Sequence, residues 1–172
     1  MTELVRAELA GGITLKPAAM KDCRFLWQWR NDPEARKYFT NTEYVPYPEH
    51  KDWFEASLRN RDRHIFIVFQ KNTRVGMVRF DVEPAARRAN IHINISQGHR
   101  NQGLGREVLK KARRYAFDNL EIDSIIARIK KGNEASIKAF TYTGFKLVSD
   151  SPDWITMSLS LRDTLKGTEA SA

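Results

Sequence analysis

Cysteine is almost missing from this sequence, with Cys23 alone among 172 residues. A single thiol excludes an internal disulfide and any metal site built from two cysteines. Nothing around Cys23 marks its thiol as activated, so we expect a small buried side chain there. Histidine is scarce as well, with four residues and no cluster, and the sequence therefore predicts no bound metal.

Long apolar runs are also missing. No stretch approaches the roughly 20 residues that a helix needs to cross a bilayer, and residues 1–13 lack the apolar core of a signal peptide. These absences predict a cytoplasmic protein with no membrane partner. The hydrophobic fraction of 41% is nevertheless enough for a core. We expect a single folded domain over residues 1–172, with flexible ends at 1–12 and 162–172.

Acidic residues are outnumbered by basic ones. The sequence has 29 Lys and Arg against 21 Asp and Glu, a net charge of +8, which favours anionic partners. The zinc, helix-turn-helix and RNA-recognition patterns of nucleic-acid-binding proteins are absent from the sequence, and solvated basic helix faces are common. We therefore expect a small anionic ligand and no nucleic acid.

The hydrophobic period changes between residues 89 and 118. Three isoleucines alternate with His92 and Asn94 over residues 91–95, which predicts a strand with one buried face. From 104 to 118 apolar residues recur every three or four positions, which predicts an amphipathic helix. We assign Leu104, Val108, Ala112 and Tyr115 to its apolar face, and Arg106, Lys110, Lys111, Arg113 and Arg114 to its solvent face.

The loop between that strand and that helix reads Arg100-Asn101-Gln102-Gly103-Leu104-Gly105. Two glycines let the backbone turn tightly, and the first N–H groups of a helix attract an anion. We expect a diphosphate there, with Arg100 and Arg106 adding charged hydrogen bonds. Arg106-Glu107 stands where a P-loop would have Lys-Ser/Thr, and Val108 stands where a dinucleotide fingerprint would have a third glycine.

A second motif strengthens the first. After a predicted strand at 125–129 comes Asn133-x-x-Ser136-x-x-x-Phe140-x-x-x-Gly144-Phe145. Together with Arg100-x-x-Gly103-x-Gly105, this pattern resembles the GNAT N-acetyltransferases. The resemblance implies an enzyme that uses acetyl-CoA, with no metal. It implies that CoA is bound by Ile93, Ile95, Arg100, Asn101, Gln102, Gly103, Leu104, Gly105, Arg106, Asn133, Ser136 and Phe140.

The order of predicted elements fits the α/β (α+β) GNAT fold, in which helices flank a mixed, mostly antiparallel sheet of six to seven strands and a splayed strand pair binds acyl-CoA. Asp32 and Pro33 predict the start of a second helix. We expect strands at 13–15, 64–70, 74–81, 89–96, 125–129, 145–148 and 154–161, and helices at 18–30, from 33, at 49–58, at 104–118 and after 133.

The N-terminal third resembles a narrower group of GNAT enzymes. Trp29-Arg30-Asn31-Asp32-Pro33-Glu34 and His50-x-x-Trp53-Phe54 look like segments of those that N-acetylate UDP-linked 4-amino-4,6-dideoxy sugars. A nucleotide sugar is therefore the favoured small-molecule substrate. The resemblance implies an acceptor pocket formed by Arg30, Phe39, Thr40, His50 and Trp53.

Three alternatives stay open at this point. The acceptor could be a protein N-terminus, as in the ribosomal-protein acetyltransferases, which share a similar Trp-x-x-x-Asp-Pro segment, or another small amine. The chain could also be a non-catalytic CoA-binding module. A homodimer through residues 71–74 and the last strand is compatible with the sequence.

The chemistry requires a group that accepts the proton of the attacking amine. Asn90 cannot act as a base, so we predict that His92 does, although a purely structural histidine fits the pattern equally well. A backbone N–H near Asn94 and Ile95 is expected to stabilise the oxyanion. Position 140 is Phe where the family has Tyr as acid, and Tyr142 lies about 200° around the helix. We expect direct transfer in a ternary complex.

Overall fold

The structure is a computed structural model and describes residues 12–164. Seven strands form one sheet in the spatial order β1-β2-β3-β4-β5-β7-β6, and all neighbours are antiparallel except β4 and β5. The strands are β1 (Ile13–Pro17), β2 (Arg63–Gln70), β3 (Thr73–Glu83), β4 (Arg88–Ile95), β5 (Ser124–Lys130), β6 (Lys146–Asp150) and β7 (Trp154–Ser160). The predicted fold class is confirmed, with seven strands.

Five α-helices precede residue 161 in the described part of the chain, and four of them pack on the two faces of this sheet. They are α1 (Cys23–Asn31), α2 (Pro33–Arg36), α3 (Tyr47–Arg59), α4 (Leu104–Asn119) and α5 (Glu134–Tyr142). One apolar cluster joins α4 and α5 to the sheet, and a smaller one joins α1 and α3 to the other face. Cys23 is buried in the smaller cluster, as predicted.

Local sequence explains most helix boundaries. Asp32 accepts a hydrogen bond from the Glu34 N–H at 3.1 Å and so caps α2, whose first residue is Pro33. The predicted helix at 18–30 is instead a 3₁₀ turn, Met20–Asp22, followed by α1. The Ala19 N–H donates to Asp22 at 3.0 Å, and this bond holds the turn.

Lys111 corrects one sequence assignment. It was placed on the solvent face of α4, but only 6% of the residue is exposed, and its ammonium donates to the Ile13 carbonyl of β1. Lys111 follows Leu104 by seven residues, which is close to two helical turns, so the two share the inward face. Helix period outweighs residue polarity here, and the buried amine has a carbonyl partner.

The chain ends differ in part from expectation. Residues 161–164 form a helical turn, in which the Ser160 hydroxyl donates to Asp163 at 2.8 Å. Residues 162–164 thus have regular structure, and the flexibility predicted for 162–172 stays a prediction. Residues 1–11 and 165–172, also predicted to be flexible, lie outside the described part.

The last strand offers no free edge to a second copy. β7 is hydrogen-bonded to β5 on one side and to β6 on the other. Pairing of two chains through β7 is therefore excluded, and the edge strands of this sheet are β1 and β6.

The parallel pair β4 and β5 separates soon after it begins. Pairing runs from Arg88 opposite Ser124 to Asn90 opposite Ile126, whereas β4 continues to Ile95 and β5 to Lys130. The far half of β4 therefore has a sheet neighbour on one side only, β3. This opening is the splayed strand pair that the sequence predicted.

Gly76 brings β3 close to β4 beside the opening. A Cβ atom on Gly76 would lie 2.5 Å from the Asn94 carbonyl oxygen and 3.2 Å from the Cα of Ile95. Gly76 stands opposite Ile95 in the register. Any side chain would push the two strands apart at the point where β4 loses its other partner.

Candidate active site

A cavity of about 650 Å³ lies where β4 and β5 separate. It brings together all five side chains predicted for the acceptor, both predicted catalytic residues and part of the predicted CoA set. The lining includes Arg30, Phe39, Thr40, His50, Trp53, His92, Asn94, Ile93, Asn133, Ser136 and Phe140.

A second cavity, of about 340 Å³, lies beside the start of α4. Its lining includes Gln102, Gly103, Leu104 and Arg106 from the predicted CoA loop. Ile95, Arg100, Asn101 and Gly105 line neither cavity. The sequence motifs thus fall into two neighbouring depressions joined by the strand β4 and the loop after it.

The loop between β4 and α4 makes the tight turn at glycine that the sequence predicted. Gly103 has φ of 76° and precedes the first helical residue, Leu104. Space around a Gly103 side chain would be open, so the glycine is needed for its left-handed backbone. The Arg106 N–H donates to the Gly103 carbonyl at 3.1 Å. The N–H groups of Leu104 and Gly105 precede the first carbonyl that a helix offers, and the dipole adds positive potential there.

The contacts of the Arg100 side chain differ from the predicted contact with a diphosphate. Its guanidinium donates to the Asp32 carboxylate, and its Nε donates to the Ile95 carbonyl at 2.9 Å. This ion pair ties the loop before α4 to the cap of α2. The placement argues against the Arg100 guanidinium as a diphosphate ligand, whereas Arg106 does line the second cavity.

The separation of β4 from β5 frees particular amides. The Ser96 N–H donates to the Val75 carbonyl at 2.9 Å, on the β3 side. Since polar groups of a strand alternate between its two neighbours, the N–H groups of Ile93 and Ile95 face the opening. The Asn94 N–H faces β3, and its side chain donates to the Trp29 carbonyl at 3.2 Å. The oxyanion donor predicted near Asn94 and Ile95 is thus better placed at Ile95.

The second motif forms the wall on the β5 side. The Asn133 side chain accepts from the Ser136 N–H at 3.2 Å and caps α5. Phe140 is 2% exposed, and its ring meets that of Phe145 edge-on with centroids 4.8 Å apart. Tyr142 is 60% exposed and lies in the second cavity, with the Arg106 guanidinium 4.3 Å from its ring. Neither side chain places a phenol in the main cavity.

His92 has an acidic neighbour that the sequence analysis missed. Its Nε2 lies 3.2 Å from Oδ2 of Asp81, and both residues line the main cavity. Asp81 and Arg79 alternate with the buried Val78 and Phe80 along β3. This alternation puts Asp81 and Arg79 on the same face of the sheet as His92. The contact between Asp81 and His92 depends on the register of β3 and β4, which the sequence does not show.

The Asp81 carboxylate is held by several donors. Burial alone would raise the pKa of Asp81, but the hydrogen bond with His92 and the guanidinium groups of Arg79 and Arg63 hold that pKa well below its usual range. The Nε atoms of Arg63 and Arg79 lie 2.6 Å and 3.0 Å from its two oxygens. Asn90, by contrast, donates to Glu83 at 2.7 Å.

At the acceptor end, Arg30 is half-buried and His50 is buried, and each has one buried nitrogen whose hydrogen-bonding capacity is unused among residues 12–164. Arg30 donates through Nη2 to the Asn41 carbonyl at 2.7 Å and lies 4.9 Å from the centre of the Phe39 ring. Its Nη1 and the Nε2 of His50 are buried and have no hydrogen-bond partner within residues 12–164. Burial, assisted by Arg30, lowers the pKa of His50 to about 4, so its imidazole is neutral at pH 7.

Basic groups outnumber acidic ones around the main cavity. Four basic residues line it, namely Arg30, Arg79, Arg128 and Lys130, and two acidic residues, Glu49 and Asp81. Arg128 lies 4.4 Å from the centre of the Trp154 ring. Neither Arg128 nor Trp154 was predicted for the site. Trp154 of β7 lies beside β5 only because the two strands pair, and the sequence does not show this pairing.

Within residues 12–164 no three His, Cys, Asp or Glu side chains are grouped so that they could hold a metal ion. Over the same range, no helix has both the length and the apolar character to cross a membrane.

Comparison with known proteins identifies the family. The acetyltransferase (GNAT) domain model matches residues 13–146. Acetyltransferase PseH of Campylobacter jejuni (strain 81-176) is 22% identical over 143 residues, 83% of this chain and 88% of that one. Spermidine N(1)-acetyltransferase of Escherichia coli (strain K12) is 24% identical over 139 residues, 80% and 75%.

Solved structures agree in fold. Spermidine N-acetyltransferase of Vibrio cholerae, in complex with CoA and spermine, superposes with a TM-score of 0.84 at 18% identity, covering 91% of this chain and 99% of that one. RimL, a ribosomal L7/L12 α-N-protein acetyltransferase in complex with CoA, gives 0.78 at 16% identity, covering 91% and 98%. The chain belongs to the GNAT family and is an acetyl-CoA-dependent N-acetyltransferase.

Proposed function

We propose that this N-acetyltransferase acts on a primary amine whose carrier also bears negative charge, and that the carrier is a nucleotide-linked amino sugar. One observation supports this most directly. Among the described residues, Arg30 Nη1 and His50 Nε2 are buried at the acceptor end without partners. Buried polar atoms are normally hydrogen-bonded, so an acceptor oxygen of the substrate would satisfy Arg30, and a hydroxyl, which can both donate and accept, would satisfy His50 in either tautomer.

Charge separates this acceptor from a polyamine. An arginine side chain stays protonated at neutral pH even though burial lowers the pKa of Arg30. A diphosphate offers Arg30 a charged, hydrogen-bonded partner. A polyamine is cationic, and it would meet repulsion from a lining in which arginine and lysine exceed carboxylates.

Aromatic side chains supply the apolar part of the proposed site. Trp53 is partly exposed in the cavity, and the guanidinium groups of Arg63 and Arg79 lie 5.6 Å and 5.7 Å from its ring. Phe39 presents a ring beside Arg30. Flat aromatic faces of this kind stack well on a nucleobase.

The main-chain groups of β4 and α4 would hold the donor. The amides at the start of α4, with Arg106, bind the diphosphate of acetyl-CoA. The freed N–H groups of Ile93 and Ile95 lie along the thioester arm, and that of Ile95 stabilises the oxyanion. Asn133, Ser136 and Phe140 close the opposite side.

His92 would accept the proton as the amine nitrogen bonds to the thioester carbon. The C–S bond then breaks, and the sulfur takes a proton from water. The residue at position 140 is Phe and has no proton to donate, and a thiol pKa of about 8.5 makes the thiolate an acceptable leaving group without a general acid. Transfer is direct, because Cys23 is buried away from the cavity lining.

Thiol release from acetyl-CoA, measured with a UDP-linked 4-amino-4,6-dideoxy sugar, spermidine and an N-terminal peptide, tests the proposal. We expect the highest kcat/KM with the nucleotide sugar. We also expect Arg30→Gln to lower that value by about 10- to 100-fold, as for the loss of a charged hydrogen bond. A higher kcat/KM with spermidine or the peptide would contradict the acceptor assignment, and no turnover despite CoA binding would favour a non-catalytic module.

Arg24 provides the matched control. It lies on α1 like Arg30, and its guanidinium is 4.6 Å from the centre of the Tyr47 ring, but it does not line the cavity. Arg24→Gln should leave kcat/KM unchanged for every acceptor. A loss equal to that of Arg30→Gln would mean that positive charge on α1, and not contact with the acceptor, matters.

A further inference from the structure

We propose that Asp81 is the positioning residue for His92, and that it selects Nδ1 as the atom that accepts the proton of the amine. The proposal rests on the proposed function, in which His92 is the base. It adds a second member to the proton-accepting group and fixes the imidazole tautomer.

The carboxylate of Asp81 is fixed from two sides. Oδ1 accepts from Arg63 Nε at 2.6 Å, and Oδ2 accepts from Arg79 Nε at 3.0 Å. His92 Nε2 lies 3.2 Å from the same Oδ2. Arg79 stands directly opposite His92 in the register of β3 and β4. The carboxylate is therefore anchored by the strand that carries it and by β2, and the imidazole meets a preset acceptor.

An ionised carboxylate can only accept hydrogen bonds. A neutral imidazole in this 3.2 Å contact is therefore stabilised by a hydrogen on Nε2, and this tautomer has its lone pair on Nδ1. Without Asp81, nothing in the contacts of His92 within residues 12–164 would choose between the two tautomers. A base with its lone pair on the wrong nitrogen would have to rotate before it could accept a proton.

The proton of the amine passes to His92 and then to water. The amine nitrogen forms a bond to the thioester carbon and releases one proton to His92 Nδ1. The imidazolium then has hydrogens on both nitrogens, and its Nε2–H remains bound to Asp81, whose charge stabilises the cation. His92 returns the proton to water after the amide product leaves.

Other charges around this pair oppose an imidazolium. Arg63 and Arg79 flank Asp81, and Arg30 and Arg128 line the same cavity, as do the acidic Glu49 and the neutral His50. The net charge near His92 is therefore positive. Asp81 is the carboxylate in contact with the ring, so its contribution is specific to that contact.

Nitrogen-15 NMR of the His92 imidazole tests the tautomer without any acceptor. We expect the Nε2–H form to dominate in the unmodified protein at a pH where the ring is neutral, and Asp81→Asn to abolish that preference. The matched control is Glu83→Gln, since Glu83 lies on the same strand but binds Arg88 and Asn90. A dominant Nδ1–H form in the unmodified protein would overturn the proposal.

Kinetics with the preferred acceptor test the role in the reaction. Asp81→Asn should lower kcat by about 100-fold, within the usual range for general base catalysis, while the KM for acetyl-CoA stays the same. Added to His92→Ala, it should cost less than about twofold more, because the two residues act as a unit. Asp81→Glu should restore part of the rate.

Equal losses from Asp81→Asn in the presence and absence of His92 would show a structural role for Asp81 and overturn the proposal. Absence of turnover in the unmodified protein would instead count against the proposed function. The tautomer measurement then still decides the inference, because it requires no reaction.

Discussion

Burial of a polar atom without a hydrogen-bond partner is costly, and in the described part of the chain Arg30 and His50 each have one such atom at the acceptor end. The charge on Arg30 and the neutral ring of His50 create a site that is complete only when a ligand supplies oxygens. Asp81 shows the opposite arrangement, with each oxygen bound by charged donors. The arrangement of Arg30 and His50 is suited to binding a ligand, and that of Asp81 is suited to holding a neighbouring side chain in a fixed orientation.

The pKa of His50 predicts an acid-sensitive stability. Burial and Arg30 lower that pKa to about 4, so the unfolded chain takes up the proton first as the pH falls. The free energy of unfolding should therefore drop between about pH 6.5 and about pH 4, by on the order of 1–2 kcal/mol after allowance for solvent screening. Denaturant titrations across this range check it, with His50→Gln as comparison. Parallel curves for the two proteins would contradict the prediction.

At the scale of elements, periodicity predicted the strand, glycine loop and helix from 89 to 118, because burial of one face leaves a repeat in the sequence. It could not predict where β4 leaves β5, since the pairing stops for reasons of tertiary packing. Nor could it show that Arg100 turns to Asp32 or that Asp81 meets His92. Contacts across strands and between distant loops depend on register, which the local pattern does not contain.

The cap of α2 gives an element-scale prediction. Asp32 both caps α2 and binds Arg100, so Asp32→Ala removes a cap worth about 1 kcal/mol and also removes the carboxylate that binds Nη2 of the partly buried Arg100. Asp32→Asn keeps a capping oxygen and should cost less. Chemical denaturation measures both. Equal stability of Asp32→Ala and the unmodified protein would show that this link contributes nothing to the fold.

At the scale of the molecule, two cavities with different linings serve the two substrates in our proposal. The cavity beside the start of α4, with Arg106, attracts the anionic donor, and the basic side chains of α1, β3 and β5 in the main cavity attract an anionic acceptor. The net charge predicted a preference for anionic partners, and the linings of these two cavities are where we propose that such partners bind. The homodimer stays a prediction for residues 71–74, since β7 has neighbours on both sides.

In the site that we propose, the turn before α4 holds the diphosphate of CoA and so sets the thioester beside the freed half of β4. Calorimetric titration with CoA measures this binding. We expect binding to the unmodified protein, a Kd raised by about tenfold or more in Gly103→Val, because a branched residue resists the left-handed backbone, and little change in Gly98→Ala, where a side chain meets open space. No heat with the unmodified protein, or equal affinity in Gly103→Val, would contradict the claim.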